Sequence, residues 1–390
     1  MTLGALSALT ADQQAIQQLA REFAEREIAP HAATWDREAF FDPALVVKLG
    51  GVGFLGMLLP EEYGGLGLDT LSYLVALEEI AAADASAAVL MSVHNSLPTQ
   101  MILQFGSEEQ KHRFLPPMAR GELLGAFALS EAGSGSDAAS MHTQAVRDGE
   151  AEGAWILDGT KSWVSAGSHA GVVVVLARTD EPQMRRGARG ISAFIVTPDL
   201  PGFRVGRKED KMGLRASPTV QLVFDQLRVP AGRLIGGEGM GFVYAMQSLV
   251  HGRLGIAAQA TGIARRALEL SVAYACERHQ FGRPIREFEA IQFKLADMAV
   301  RVHASRALLH TAAAAKDRGV DVTAHASMAK LLASETAMWA TTQAIQIFGG
   351  YGYIKDYPVE RLFRDAKVTE IYEGTSEIQR VIISRALTHP

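Results

Sequence analysis

The chain has 390 residues, 38 Lys and Arg, 43 Asp and Glu, and one cysteine, Cys276. Apolar residues are 48% and charged residues 21% of it, a globular composition that excludes bulk disorder and can bury a sizeable core. The net charge of −5 argues against a nucleic-acid protein, which carries a basic stripe. No run of about 18 apolar residues occurs, so no membrane span is expected. A lone cysteine excludes an intramolecular disulfide, a CxxC zinc site and an iron–sulfur cluster. The N-terminus lacks a signal or transit pattern, so a cytoplasmic location is expected, or the mitochondrial matrix for a processed eukaryotic form.

The length predicts roughly two to three domains, and three stretches read differently. Residues 1–125 carry a helical period. Ile16, Leu19, Ala20, Phe23 and Ala24 form one apolar face, with Thr10 and Gln13 as a capping box and Pro30 as a stop. A second helix is expected from Asp69 or Thr70 to Ala83, after a turn at Gly64–Gly67. Residues 126–235 read as strands: Gly125–Leu129, Trp155–Leu157, Val172–Leu176, Ile191–Val196 and Val220–Phe224. Turn pairs such as Asp158-Gly159 and Pro201-Gly202 separate them. The spacing predicts a small β-barrel or sandwich with hairpin-type connections. Residues 236–390 begin with a Gly-rich linker, Gly236–Gly241, then become Ala-rich helices over Leu249–Cys276, Glu287–Lys316 and Thr323–Ile347. Gly319 and Gly349 stand where C-caps are expected. The fold class is therefore α+β: an N-terminal all-α domain, a middle β domain and a C-terminal four-helix bundle.

Candidate chemistry lies in a few segments. Gly133-x-Gly135-x-x-Ala138 matches a loose dinucleotide fingerprint, but no helix is expected after it, so a Gly/Ser turn is the better reading. The turn could still aim backbone N–H groups and hydroxyls at a flat or phosphorylated ligand. The 11 histidines are scattered, without HExxH, and no metal is expected. No G-x-S-x-G elbow occurs. Glu373 lies between Tyr372 and Gly374. An aromatic neighbour can desolvate the carboxylate and raise its pKa toward that of a base. The same stretch also reads as a simple cap, with Thr375 at the N-cap.

Four segments in order resemble the acyl-CoA dehydrogenase family: Leu129–Asp137, Trp163–Ser165, Arg278–Gly282, and Gln346–Gly350 through to Ile371–Arg380. His94–Leu97, Gly252–Gly255 and Tyr353–Lys367 turn the comparison toward its short-chain (butyryl-type) and short-branched-chain branches. The resemblance implies an FAD enzyme that oxidises an acyl-CoA to the trans-2-enoyl-CoA and passes electrons to an electron-transfer flavoprotein. Glu373 matches the base that removes the α-proton while hydride leaves the β-carbon for flavin N5. A backbone N–H at the Glu and a flavin ribityl hydroxyl would hold the thioester oxygen, an oxyanion-hole arrangement. Phe127, Leu129, Ser130, Trp163 and Ser165 match the flavin walls. Ser136 matches a residue that touches both cofactor and CoA. Arg278, Gln280 and Phe281 match a segment reaching a neighbouring subunit's FAD, and Gln346, Gly349 and Gly350 one at its adenosine half. Thr375 and Glu377 match FAD contacts; Arg253 and Gly374 match substrate contacts. A homotetramer, a dimer of dimers, is implied.

Three positions depart from the family pattern. Glu289 stands where a glutamine near the FAD phosphates is usual, Val250 where an Asp is common, and Ser130 where a Thr is usual. A Glu at 289 would repel phosphate unless a cation intervenes. Gly252 occupies the place from which other branches supply their base, which leaves Glu373. Other readings are a 2-methyl-branched acyl-CoA dehydrogenase, an oxygen-using acyl-CoA oxidase-like flavoenzyme, and a flavin-free binding module.

Overall fold

The computed structural model describes residues 9–151, 153–180 and 187–388. The outer ends of the first and last expected domains, 1–8 and 389–390, lie outside the described residues.

The N-terminal helices are α1 (Ala11–Glu27), α2 (Ala32–Glu38), α3 (Pro43–Gly51), α4 (Thr70–Ala83), α5 (Ala85–Ser96), α6 (Pro98–Phe105) and α7 (Glu108–Ala119). Thr10 and Gln13 cap α1 reciprocally, and Asp69 caps α4. On α1 the expected apolar face buries Ala20, Phe23 and Ala24. Leu19 departs from it and is 47% exposed, because it lies at the edge of a face only wide enough for its neighbours. Helices α4 and α5 are buried almost all round, as central helices must be.

The strands are β1 (Gly125–Ala128), β2 (Gln144–Arg147), β3 (Trp155–Ser165), β4 (Val172–Arg178), β5 (Ile191–Val196), β6 (Phe203–Lys208) and β7 (Thr219–Val229). They form a seven-stranded sheet in the order β1-β4-β2-β3-β7-β6, with β5 on β4. The expected hairpin connections hold for β2–β3, β4–β5 and β6–β7, which are antiparallel. They fail for β1, which pairs parallel to β4 with Gly125 opposite Val172. The intervening chain, including the Glu131–Asp137 loop, is the crossover that a parallel pair requires. Strand β6 escaped prediction because its side chains Arg204–Lys208 are exposed and carry no apolar alternation. In β4 both faces are covered. Val173, Val175 and Ala177 join one core with Trp155, Leu222 and Phe224. Val172, Val174 and Leu176 join another with Leu59 from the chain after α3 and with Phe114 and Ala245 from the helices. A strand buried on both sides reads as a continuous apolar run, and it welds the sheet to the helices.

The C-terminal part holds α8 (Gly241–Glu277), a hairpin β8 (His279–Gln280) and β9 (Arg283–Pro284), α9 (Glu289–Asp317), α10 (Thr323–Phe348), α11 (Val359–Val368) and α12 (Ser376–Thr388). Helix α8 begins earlier than its periodicity predicts, at the last glycine of the linker. Helices α8, α9, α10 and α12 make the expected bundle, and α11 closes one side. Ala326, Ala329, Ala333, Ala337, Ala340 and Ala344 are all fully buried on α10. Small side chains at this spacing let α10 lie close against α8.

Buried ion pairs join the parts. Arg265 and Arg306 converge on Glu78 of α4. Arg364 of α11 binds Asp36 of α2 and the Met212 carbonyl of the middle part. Leu214 N–H donates to Asp365 at 2.6 Å. No helix among the described residues is long and apolar enough to cross a membrane. Among the described residues no group of three or more His, Cys, Asp or Glu could hold a metal ion.

Candidate active site

Glu373 sits in the turn between α11 and α12. Its φ is 53° and that of Gly374 is 97°, two successive left-handed residues. The turn is held by neighbours. Lys330 Nζ donates to the Gly374 carbonyl at 2.9 Å. Gln379 Nε2 donates to the same carbonyl at 2.8 Å and to the Glu373 carbonyl at 3.2 Å. Thr375 caps α12 by accepting from Ile378 N–H, so the capping role and the placement of Glu373 coexist in one segment.

The Glu373 carboxylate lies against Gly252 of α8, where any β-carbon would overlap it. Both its oxygens are shielded from solvent, and neither has a hydrogen-bond partner among the described residues; nor has Arg253 Nε. Burial pushes the carboxyl up to about 7, against the pull of Arg253 and Lys330. A carboxylate so placed can accept a proton near neutral pH. Orphaned buried polar atoms ask for a partner that the protein itself does not supply.

That partner's space is a cavity of about 220 Å³. It is lined by Phe127, Leu129, Ser130, Ser136, Trp163, Ser165, Arg253, Glu373 and Gly374. Four separate stretches of sequence thus meet in one place. Trp163 has φ 58° and presents an indole that is 53% exposed. Below it, Lys161 is wholly buried and bonds the Leu129 carbonyl and Glu131, each at 2.9 Å. Burial works against the Glu131 carboxylate, but Lys161 and the N–H groups of His142 and Thr143 hold it at about 2. The helix that a dinucleotide fingerprint needs after Gly133–Gly135 does not form, in line with the turn reading: a single turn, Ala138–Ser140, leads into β2. The loop is a turn over the cavity, not a dinucleotide fingerprint.

Arg278, Gln280, Gly349 and Gly350 line a second cavity of about 580 Å³. Its wall stacks Tyr274 on Phe348 at 4.0 Å, and Arg278 lies 5.4 Å from the Tyr351 ring centre. Phe281 is 93% exposed at the tip of the β8–β9 hairpin. Gln346, Glu377 and Glu289 are exposed, and Val250 is half-buried on α8. None of these five lines either cavity.

The site also uses residues that the sequence reading did not single out. Val93, Phe242, Met246 and Leu249 are such residues, and together with Leu97 and Tyr372 they complete the first cavity. Phe242, Met246, Leu249 and Arg253 recur at helical spacing along α8, a stripe that reads as ordinary core. Tyr372 donates to Gln259, whose amide donates to the Ala85 carbonyl. Lys330 hid inside the alanine row of α10.

Three family models cover the chain. The N-terminal domain of acyl-CoA dehydrogenase matches residues 10–122, the middle domain 126–227, and the C-terminal domain 239–388. The chain belongs to the acyl-CoA dehydrogenase family. It is 49% identical to the mitochondrial short-chain specific acyl-CoA dehydrogenase of Mus musculus, over 95% of this chain and 89% of that protein. It resembles the butyryl-CoA dehydrogenase of Megasphaera elsdenii at 44% identity and a TM-score of 0.95, over 98% and 99% of the two chains. It also resembles a chain in a structure described as the electron transferring flavoprotein of Acidaminococcus fermentans, at 47% identity and a TM-score of 0.95, over 98% and 99%.

As an acyl-CoA dehydrogenase it is an FAD-dependent oxidoreductase. The residues present fit that group. The first cavity offers a flat aromatic wall in Trp163 and hydroxyls in Ser130 and Ser165. The second offers stacked aromatic rings, the Arg278 cation, and Gly349 and Gly350, beside which a β-carbon would find open space.

Proposed function

We propose that this enzyme oxidises a short-chain acyl-CoA to the trans-2-enoyl-CoA, with Glu373 as the base. The observation that carries the reading is the shielded, unpartnered Glu373 carboxylate facing a cavity beside Arg253. Glu373 takes the α-proton and becomes neutral. Bound FAD supplies the acceptor for the hydride that leaves the β-carbon. The Glu373 backbone N–H donates to the thioester oxygen as enolate charge develops. Phe127, Leu129 and Trp163 keep water from the reacting carbons, and Ser136 and Arg253 face the CoA end. Chemistry that needs one base and no acid suits a site without a histidine.

The likeness to short-chain and butyryl-CoA enzymes favours a short acyl chain. Activity across chains of roughly four to twelve carbons, with a 2-methyl-branched set beside them, tests the length and branching preference. We assign electron transfer to an electron-transfer flavoprotein, supported by the likeness already described. Oxygen consumption matching the rate of dye reduction would point to an oxidase instead. The half-buried Arg278 and the exposed His279–Phe281 stretch after it suit a homotetramer in which this segment reaches a neighbouring subunit's FAD. Three domains at 1–125, 126–235 and 236–390 and a cytoplasmic location complete the reading. The deciding experiment is Glu373→Gln, which retains flavin absorbance but lowers butyryl-CoA turnover by at least about 10²-fold. An unchanged rate overturns the assignment of the base.

A further inference from the structure

We infer that Lys330 is a positioning residue for the base: its ammonium clamps the Gly374 carbonyl, holds the left-handed Glu373–Gly374 turn, and sets its charge toward the Glu373 carboxylate. The inference rests on Glu373 being the base.

Lys330 is fully buried in the alanine row of α10. Its neighbours Ala326, Ala329, Ala333 and Ala337 are small and apolar, so packing alone would place an alanine or leucine there. Burying an ammonium is unfavourable unless polar partners offset it. Its hydrogen bond runs to the Gly374 carbonyl at 2.9 Å, one residue from the base. A left-handed conformation at a non-glycine residue such as Glu373 costs roughly 1–2 kcal/mol. It persists only where the surroundings over-determine it. Lys330 from α10 and Gln379 from α12 do so from two sides, sharing the Gly374 carbonyl.

The charge has a second role. Arg253 on α8 and Lys330 on α10 are the cations that favour the ionised base. Tyr372 and Tyr73 of α4 feel the charge of Glu373 in turn. Lys330 itself faces Glu373, Glu370 and Glu377, and Arg253 opposes it. Burial lowers Lys330 to about 8, so it remains charged at neutral pH. Removing that charge leaves Arg253 alone against burial. The neutral form of Glu373 then gains, and the acid limb of kcat/KM moves to higher pH.

The test uses the FAD-loaded protein with Lys330→Met, Lys330→Gln and Glu373→Gln. Turnover is measured against pH. The Glu373 carboxyl infrared band, identified by its loss in Glu373→Gln, is titrated separately. Lys330→Met is expected to lower kcat by about 10- to 100-fold, as expected for a base displaced by about an ångström. Lys330→Gln keeps a donor for the Gly374 carbonyl and recovers part of that loss. In both, the acid limb and the carboxyl band titrate roughly half a pH unit or more above wild type. Wild-type kcat with an unshifted limb and band in Lys330→Gln overturns the inference, and that variant decides even where Lys330→Met does not fold. Turnover retained by Glu373→Gln would instead overturn the base itself, whatever the lysine variants do.

Discussion

Replacing Gly374 by alanine perturbs the turn at the base without touching its carboxylate. The residue has φ 97°, outside the region that side chains with a β-carbon readily adopt, at a cost of roughly 1–2 kcal/mol. The new β-carbon would stand 2.8 Å from Gln379 Nε2 and 3.3 Å from Ile378 Cγ2. The first contact displaces the amide that bonds the Glu373 and Gly374 carbonyls. Two such hydrogen bonds contribute about 0.5–1.5 kcal/mol each. The turn can absorb about 2–5 kcal/mol of local destabilisation, or flip and carry the base with it. Either outcome disorders the base, and a displacement of about 1 Å is enough for a 10²-fold loss of rate. The expected result of Gly374→Ala is therefore kcat down by about 10²-fold with flavin content and helicity unchanged. Dye-coupled turnover with butyryl-CoA, flavin absorbance and circular dichroism measure the three quantities. A variant with wild-type kcat and an unaltered melting temperature would refute this account of the turn.

Other perturbations follow from the same geometry. Because burial raises Glu373 to about 7, kcat/KM should fall below about pH 7 as the base becomes protonated, and a pH–rate profile checks this. The same shift has a thermodynamic side. A carboxyl raised in the folded state contributes stability that is present below about pH 4.5 and lost as pH rises through about 7. Glu373→Gln should therefore melt at a higher temperature than wild type at pH 8 and lose that advantage toward pH 5. Lys161→Met leaves Glu131 buried without its cation and frees the Leu129 carbonyl. A loss of about 3–5 kcal/mol is expected, with a lower ratio of flavin to protein absorbance in the purified enzyme. Glu78→Gln leaves Arg265 and Arg306 facing an uncharged amide. It should lower the melting temperature through a similar loss while kcat stays unchanged, because this cluster joins α4, α8 and α9 away from the cavity.

Much of the frame was legible in the sequence because local rules govern it. The capping box at Thr10 and Gln13, the Asp69 cap and the glycine ends of α9 and α10 are decided within a few residues. The switch from helical to strand periodicity marked the three parts, and short motifs pointed to Glu373, Trp163 and Arg253 through a family resemblance. What the sequence left open depends on contacts between distant segments. The parallel pairing of β1 with β4 joins residues that are far apart in the chain, and no turn signal announces it. Strand β6 is held by β7 rather than by its own apolar pattern.

At the site the division is sharper. Once the family resemblance implied a redox reaction, the single cysteine and scattered histidines pointed to an organic cofactor rather than metal or thiol chemistry. Glu373 as a glutamate between an aromatic and a glycine was readable, but its raised pKa was not. That property arises where Gly252 of α8 makes room for the carboxylate, Arg253 and Lys330 face it, and the turn shields it from water. A pKa is a balance of desolvation against nearby charge, and both terms are set by neighbours that only the tertiary structure brings together. Lys330 shows the same limit, because in sequence it is one lysine in an alanine-rich helix. Only the packing of α10 against the 373–374 turn gives its buried charge a partner.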